Sequence, residues 1–150
     1  SGVPLDAVRI DFAAGSIERE ILRCQDADLI VVEGQGSLVH PASSATLPLL
    51  RGSMPTHLVM CHRAGQDRLV REPRLPIPPL SELIPLYEAL AGTCGTFPAA
   101  RCVGVFLNTS HISPEEAEAA CRATEDAVGM PCQDPVRHGT DRVLAAVLAS

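Results

Sequence analysis

The sequence of 150 residues contains no lysine, and all 12 of its basic residues are arginine. A Walker-type phosphate-binding loop needs a lysine that reaches the transferred phosphate, and a Schiff-base enzyme needs one as its nucleophile. These residues by themselves therefore cannot complete either kind of chemistry.

Long apolar runs and an excess of positive charge are also missing. The longest apolar stretches, such as Leu29-Ile30-Val31-Val32, are far shorter than the roughly 18 residues that a membrane-spanning helix needs. The net charge is −6, so no surplus of positive charge is available to follow a nucleic-acid backbone. We therefore expect a protein that binds neither a membrane nor a nucleic acid. The length and the 46% hydrophobic content fit one compact domain.

The six cysteines show no CxxC pair, so their spacing does not support a zinc site. Several lie within apolar runs, where cysteine behaves as a small buried hydrophobic residue. Nothing indicates the disulfide scaffold of a secreted protein. We expect reduced thiols and a cytoplasmic protein.

Strand and helix patterns alternate along the chain. Three apolar runs lack period-2 alternation and predict strands covered on both faces, at residues 28–33, 58–61 and 102–107. Helical patterns lie between a Gly15-Ser16 cap and residue 26, from Leu80 to Gly92 with Pro85 in the first turns, from Ser113 to about Val128, and from Val143 to Leu148. A short strand at Met130-Pro131-Cys132 and a proline-rich surface loop over residues 63–79 complete the pattern. The alternation predicts an α/β fold of three layers, a parallel sheet with helices on both faces.

Polar residues follow each predicted strand, where ligands of open parallel sheets bind. Glu33 ends the first strand, and its carboxylate suits Mg²⁺ on a phosphate chain or caps the following turn. In the glycine-rich loop after it, Gln35, Ser37 and His40 either contact a phosphate or a substrate carboxylate, or hold the loop closed through its own backbone.

Cys61-His62 ends the second predicted strand and Asn108-Thr109-Ser110 follows the third. Adjacent strand residues point to opposite faces, so we expect Cys61 in the core and His62 at the site, as a catalytic candidate. Arg137 either caps a phosphate or closes the last loop.

The string Val32-Glu33-Gly34-Gln35-Gly36-Ser37-Leu38, followed by His40-Pro41, resembles a family of bacterial and archaeal proteins described as D-glutamate N-acetyltransferase-like. The resemblance continues through Asp6, Asp11-Phe12, Leu49-Leu50-Arg51-Gly52-Ser53-Met54-Pro55, Cys61-His62, Leu107-Asn108-Thr109 and Asp134-Pro135-Val136-Arg137. It implies a protein more than twice as long, in which residues 1–150 are the later part of a C-terminal domain with a P-loop NTPase fold. A Rossmann-like domain and the phosphate loop are then expected upstream.

A wider resemblance, to the dethiobiotin synthetase and MinD-like branch of P-loop proteins, implies roles for single residues. Glu33 and Asp11 would lie at Mg²⁺, although Asp11 is equally well explained as a solvated residue before a helix. Asn108 would bind adenine, because a side-chain amide both donates and accepts hydrogen bonds. The alternative for Asn108 is an Asn-Thr-Ser turn. The expected cofactor-binding residues are Gly34, Gln35, Gly36, Ser37, His40, Asn108 and Arg137.

The function implied by the resemblance is that of the C-terminal, nucleotide- or CoA-binding part of a D-glutamate N-acetyltransferase-like enzyme. The expected cofactors are ATP or acetyl-CoA together with Mg²⁺, the substrate is an amino acid or a small carboxylic acid, and the protein is a homo-oligomer. Two alternatives remain open. One is a Mg-ATP-dependent ligase or kinase acting on a small carboxylic acid, and the other is a non-catalytic nucleotide-dependent regulatory or assembly domain. Phosphoryl transfer needs magnesium and acetyl transfer does not, so a chelator separates the enzymes.

Overall fold

The computed structural model describes residues 2–34 and 36–150, except for the side chain of Asp6. Gln35, expected in the cofactor-binding loop, lies outside the described residues. The chain divides into two compact units. The first comprises Ser1–Pro55 with Ala89–Ala99, and the second comprises Thr56–Glu88 with Ala100–Ser150.

A parallel sheet forms the centre of the second unit. Its strands are β1 (His57–Arg63), β2 (Arg101–Asn108) and β3 (Cys132–Gln133), in the order β1-β2-β3. His62 pairs with Leu107 in the register, so β1 and β2 end side by side. The prediction that these two strands are parallel neighbours is confirmed, as is the short strand near Cys132.

Helices cover both faces of β2, because its successive side chains alternate in direction. Val105 and Leu107 are buried together with Cys121 of α4 (Pro114–Val128) and Ile84 of α3 (Leu80–Gly92). Gly104 faces the other way, towards Val143 of α5 (Asp141–Leu148). A Cβ at Gly104 would lie 2.8 Å from Val143 Cγ2, so the close approach of α5 requires glycine here. The predicted α/β architecture with a parallel sheet is confirmed for this unit.

The start of α4 follows from local sequence alone. The Ser113 hydroxyl accepts a hydrogen bond from the Glu116 N–H at 3.2 Å, and the Glu116 carboxylate accepts one from the Ser113 N–H at 2.9 Å. This capping box, with Pro114 in the first turn, begins the helix predicted from Ser113 to about Val128. Gly129 ends it in the left-handed conformation, at φ 70°.

The first unit contains two helices that pack together, α1 (Ile10–Arg23) and α2 (Thr46–Ser53). The predicted start of α1 after Gly15-Ser16 is wrong, because both residues lie inside the helix. The Ser16 hydroxyl donates a hydrogen bond to the Phe12 carbonyl at 2.9 Å, so it bonds backward along the helix instead of capping it. Helix α2 was not predicted from the sequence.

The predicted strand at residues 28–33 is also wrong: the structure assigns no strand there. Leu29, Val31 and Val32 are exposed by 48%, 84% and 40%. A strand exists only through hydrogen bonds to a neighbouring strand. None of the described residues forms a backbone hydrogen bond with residues 29–34. The apolar run therefore has a strand-like sequence, but no described residue pairs with it.

The proline-rich segment predicted as a loop over residues 63–79 is irregular from residue 64 onward, apart from one antiparallel bridge between Arg68 and Pro76, whereas Arg63 is the last residue of β1. Helix α3 contains Pro85 as its sixth residue, beyond the first turn, so the proline removes one hydrogen bond of the helix. None of the helices in the described part of the chain has the length and apolar character required to cross a bilayer.

Candidate functional site

In the first unit, the loop that follows Glu33 is closed by its own polar groups. The Ser37 N–H donates to Ser43 Oγ at 3.2 Å, and Ser43 Oγ lies 2.8 Å from Thr46 Oγ1, at the start of α2. The Val39 N–H approaches Ser37 Oγ at 3.4 Å. Gly36 has φ +98°, a conformation that favours glycine, and a Cβ there would collide with Ser43 Oγ. Ser37 therefore helps to fix the loop.

His40 also stabilises this loop. Its Nδ1 accepts a hydrogen bond from the Ala42 N–H at 3.2 Å, and the backbone N–H groups of His40 and Ser43 donate to the Ser37 and His40 carbonyls. Because Nδ1 accepts, the proton of the neutral ring lies on Nε2. The sequence left open whether His40 contacts a ligand or holds the loop closed through its own backbone, and these contacts match the closed loop. The Nε2–H group remains a potential donor to a ligand.

The two candidate metal ligands of the first unit are exposed carboxylates. Glu33 precedes Gly34 in the loop, and Asp11 lies in the first turn of α1. Among the described residues, no group of three or more histidine, cysteine, aspartate or glutamate side chains is arranged to hold a metal ion. A magnesium ion here would need phosphate oxygens of a bound ligand to complete its coordination.

In the second unit, His62 lies at the carboxyl end of β1. The side chain is partly buried, and burial lowers the pKa of His62 below its usual 6.5, while a backbone hydrogen bond to Gln66 partly offsets this effect. The imidazole is therefore neutral at pH 7 and able to accept a proton. The expectation that Cys61 is a core residue is wrong, because Cys61 is exposed. Strand β1 is at the edge of the described sheet, so a residue alternating with His62 need not face a covered side.

Asn108 ends β2, opposite Arg63 in the register. Its Oδ1 accepts a hydrogen bond from the Ser110 N–H at 3.0 Å, which forms the Asn-Thr-Ser turn that was the alternative reading. The side chain is nevertheless exposed, and the turn does not use its Nδ2 as a donor. The turn thus orients the amide at the end of the strand.

Asp134 organises the loop next to Asn108. It is 3% exposed and accepts hydrogen bonds from the Thr109 N–H at 3.2 Å, from the Thr109 hydroxyl, and from the backbone N–H groups of Val136 and Arg137 at 2.8 and 3.1 Å. Burial raises the pKa of Asp134, but these hydrogen bonds outweigh burial and hold the pKa below its usual 3.8. Asp134 is therefore a carboxylate at neutral pH.

Arg137 is attached to the same loop. It donates to the carbonyls of Thr109 and Ile112 at 3.2 and 2.8 Å, and its Nε lies 3.7 Å from Asp134 Oδ2. These contacts match the loop-closing reading of Arg137. The structure thus brings His62, Asn108 and Arg137 to the carboxyl edge of one sheet, whereas Asp11, Glu33 and residues 36–40 belong to the other unit.

The sequence reasoning missed a groove at this edge. The turn at residues 63–68, Val70 and His111 line an open groove of about 270 Å³. His111 comes from the loop between β2 and α4, and its Nε2 lies 3.0 Å from the Ala64 carbonyl, which must accept. Residues 63–68 had been predicted only as part of a surface loop, and nothing in the local sequence indicates that His111 lies beside them.

Comparisons with known proteins place the chain in a family. A family model described as "Domain of unknown function (DUF1611_C) P-loop domain" matches residues 1–144. A curated "D-glutamate N-acetyltransferase" of Tritonibacter scottomollicae is 38% identical over 99% of this chain and 44% of the relative. A protein of the same name from a Pseudoalteromonas species is 36% identical over 97% of this chain and 43% of the relative.

A solved structure agrees with these matches. The crystal structure of a DUF1611 family protein from Anabaena variabilis has a TM-score of 0.97 and 50% identity, and the match covers all of this chain and 44% of that one. The chain thus spans less than half the length of the proteins that it resembles. The family expected from the motif around Glu33 is confirmed. The chain belongs to the DUF1611 family, within its P-loop domain.

Proposed function

We propose that the full-length protein transfers an acetyl group from acetyl-CoA to the amino group of D-glutamate, and that this chain holds the nucleotide part of the coenzyme. The observation that carries the proposal is the 38% and 36% identity to two proteins named D-glutamate N-acetyltransferase, over 99% and 97% of this chain. Coenzyme A contains an adenosine diphosphate group, which a P-loop fold is suited to hold.

The proposed nucleotide contacts are described for each unit by itself. In the first unit, the backbone at Gly34 and Gly36 approaches the phosphates, and Ser37 and His40 keep the loop in shape, with His40 Nε2–H as a donor. In the second unit, the exposed Asn108 amide contacts the adenine edge, supported by its fixed Oδ1 orientation. Gln35 and Arg137 complete the proposed set. An acidic residue before a glycine-rich loop and an asparagine at the end of β2 also support a place in the dethiobiotin synthetase and MinD-like branch.

Acetyl-CoA supplies the thioester, whose C–S bond breaks as the C–N bond of the amide forms. The attacking amine must lose a proton, and His62 is the proposed acceptor. Its position at the carboxyl end of β1 supports this role, because ligands bind at that edge of parallel sheets. The lowered pKa of His62 supports it too, since the ring is neutral before the reaction.

Glu33 and Asp11 are the exposed carboxylates proposed for magnesium, and phosphate oxygens of the ligand would supply its other ligands. When bound, it would neutralise phosphate charge. Acetyl transfer itself needs no metal, so we propose magnesium as an aid to nucleotide binding. A cytoplasmic homo-oligomer is part of the same proposal.

A steady-state assay tests the proposal. Thiol release from acetyl-CoA is followed in the full-length protein with D-glutamate, in the presence of a chelator and without ATP. We expect release that depends on the amino acid and survives the chelator. Turnover that appears only with ATP and magnesium would instead identify a ligase or kinase, and nucleotide binding without any turnover would identify a regulatory domain.

A further inference from the structure

The groove formed by residues 63–68, Val70 and His111, called the β1 groove below, is unusual in its charge. Two of its lining residues, Arg63 and Arg68, are cations in a chain with net charge −6. Among the described residues, neither takes part in an ion pair. Arginines without a carboxylate partner at the edge of a sheet are available to an anionic ligand.

Arg68 is held in position by one hydrogen bond and keeps N–H donors for a ligand. One terminal nitrogen of its guanidinium donates to the Pro73 carbonyl at 3.0 Å, which holds the side chain in place. The remaining N–H groups are left for a ligand, because a guanidinium has five donors in a planar fork. Asp67 lies between Arg63 and Arg68 in the sequence and adds one negative charge to the lining of the β1 groove.

The size of the β1 groove limits the ligand. Its volume of about 270 Å³ is below the roughly 300–1,000 Å³ of pockets for drug-sized molecules. The groove is comparable in size to an amino acid, and a whole coenzyme A would extend well beyond it. The groove also begins at Arg63, the register partner of Asn108, so it lies at the carboxyl end of β1.

We propose that the β1 groove binds the acyl acceptor as a dicarboxylic amino acid, with Arg63 and Arg68 each taking one carboxylate and Asp67 attracting the amino group. This assignment rests on the proposed acetyl transfer. Asp67 favours an amino acid over a phosphate, because a carboxylate repels a phosphate dianion and attracts an ammonium group. Arg63 and Arg68 therefore set specificity for two carboxylates.

Variants of the full-length protein test the proposal. We expect Arg63→Gln and Arg68→Gln each to raise the KM for D-glutamate by about tenfold or more, because each loses a charge-assisted carboxylate contact. The KM for acetyl-CoA should change little. Arg71→Gln is the matched control, since Arg71 is an exposed arginine of the same loop outside the β1 groove. Equal KM values for D-glutamate in Arg63→Gln, Arg68→Gln and Arg71→Gln would overturn the groove assignment while leaving acetyl transfer intact.

Calorimetric titration compares the binding of an amino acid, a dicarboxylate and a phosphate, and it does not require turnover. Asp67→Asn should weaken the binding of D-glutamate but not of glutarate, which has two carboxylates and no amino group. This comparison remains informative if an arginine variant fails to fold. If inorganic phosphate binds as tightly as glutarate, or if Asp67→Asn affects both acids equally, the proposal is wrong. If glutarate binding depends on Arg63 but no acetyl transfer occurs, the groove assignment stands and the proposed function fails.

Discussion

Replacing Asp134 with alanine should destabilise the protein by about 3–5 kcal/mol. Thr109 is 0% exposed, and both its N–H and its hydroxyl donate to the Asp134 carboxylate. A buried donor left without an acceptor costs about 1–3 kcal/mol, and breaking a buried charge contact costs about 3–5 kcal/mol. Loss of the acceptor costs less free energy at the Val136 N–H, because Val136 is 92% exposed and water can replace the carboxylate.

Urea denaturation of the full-length protein, compared at equal m-values, measures this effect. Asp126→Ala is the control, because Asp126 is an exposed acid on α4 whose side chain forms no hydrogen bond with another described residue, and the stability change should stay within about 0.5 kcal/mol. A cost below about 1 kcal/mol for Asp134→Ala would refute the argument that this carboxylate holds the loop together.

The contribution of Asp134 to the stability of the folded protein should depend on pH. The pKa of Asp134 is held below 3.8 in the folded protein, so its contribution is fully present above the unfolded-state pKa of about 3.9. It is lost as the pH falls through the lower folded-state pKa. The stability difference between the wild type and Asp134→Asn should therefore narrow below about pH 4. A difference that stays constant through this range would contradict the assignment.

Three further predictions concern the proposed site. His62→Gln should lower kcat for acetyl transfer by about 10²-fold or more at pH 7.5, and an unchanged kcat would remove His62 from proton transfer. Asn108→Ala should weaken coenzyme A binding by about 1–3 kcal/mol in calorimetry, by analogy with amide contacts to adenine in DNA, unless the amide serves only the turn. Glu33→Gln should weaken nucleotide binding with magnesium far more than binding without it, and equal losses in both titrations would show that Glu33 holds no metal.

Elements specified by neighbouring residues could be predicted from the sequence. The capping box of α4 lies within residues 113–116. The apolar runs of β1 and β2 pair as parallel strands. The run at residues 28–33 is also apolar between its two acidic ends but has no strand partner among the described residues. Pairing is a non-local property, so the apolar pattern alone did not distinguish these cases.

The candidate site shows the same division. The polar residues after each strand were predicted, because that position follows from the order of elements. The contacts that orient them were not, since Thr109 and Asp134 are 25 positions apart and His111 and Ala64 are 47 apart. For Ser37, His40 and Arg137 the sequence left two readings open, and distances were needed to see which groups hold the loops.

Acetyl transfer to D-glutamate is tested most directly by mass spectrometry of the product. The full-length protein is incubated with acetyl-CoA labelled in the acetyl group, D-glutamate and a chelator. The proposal predicts labelled N-acetyl-D-glutamate, formed in step with free coenzyme A. Absence of the labelled amide, with the protein folded and acetyl-CoA bound, would contradict it.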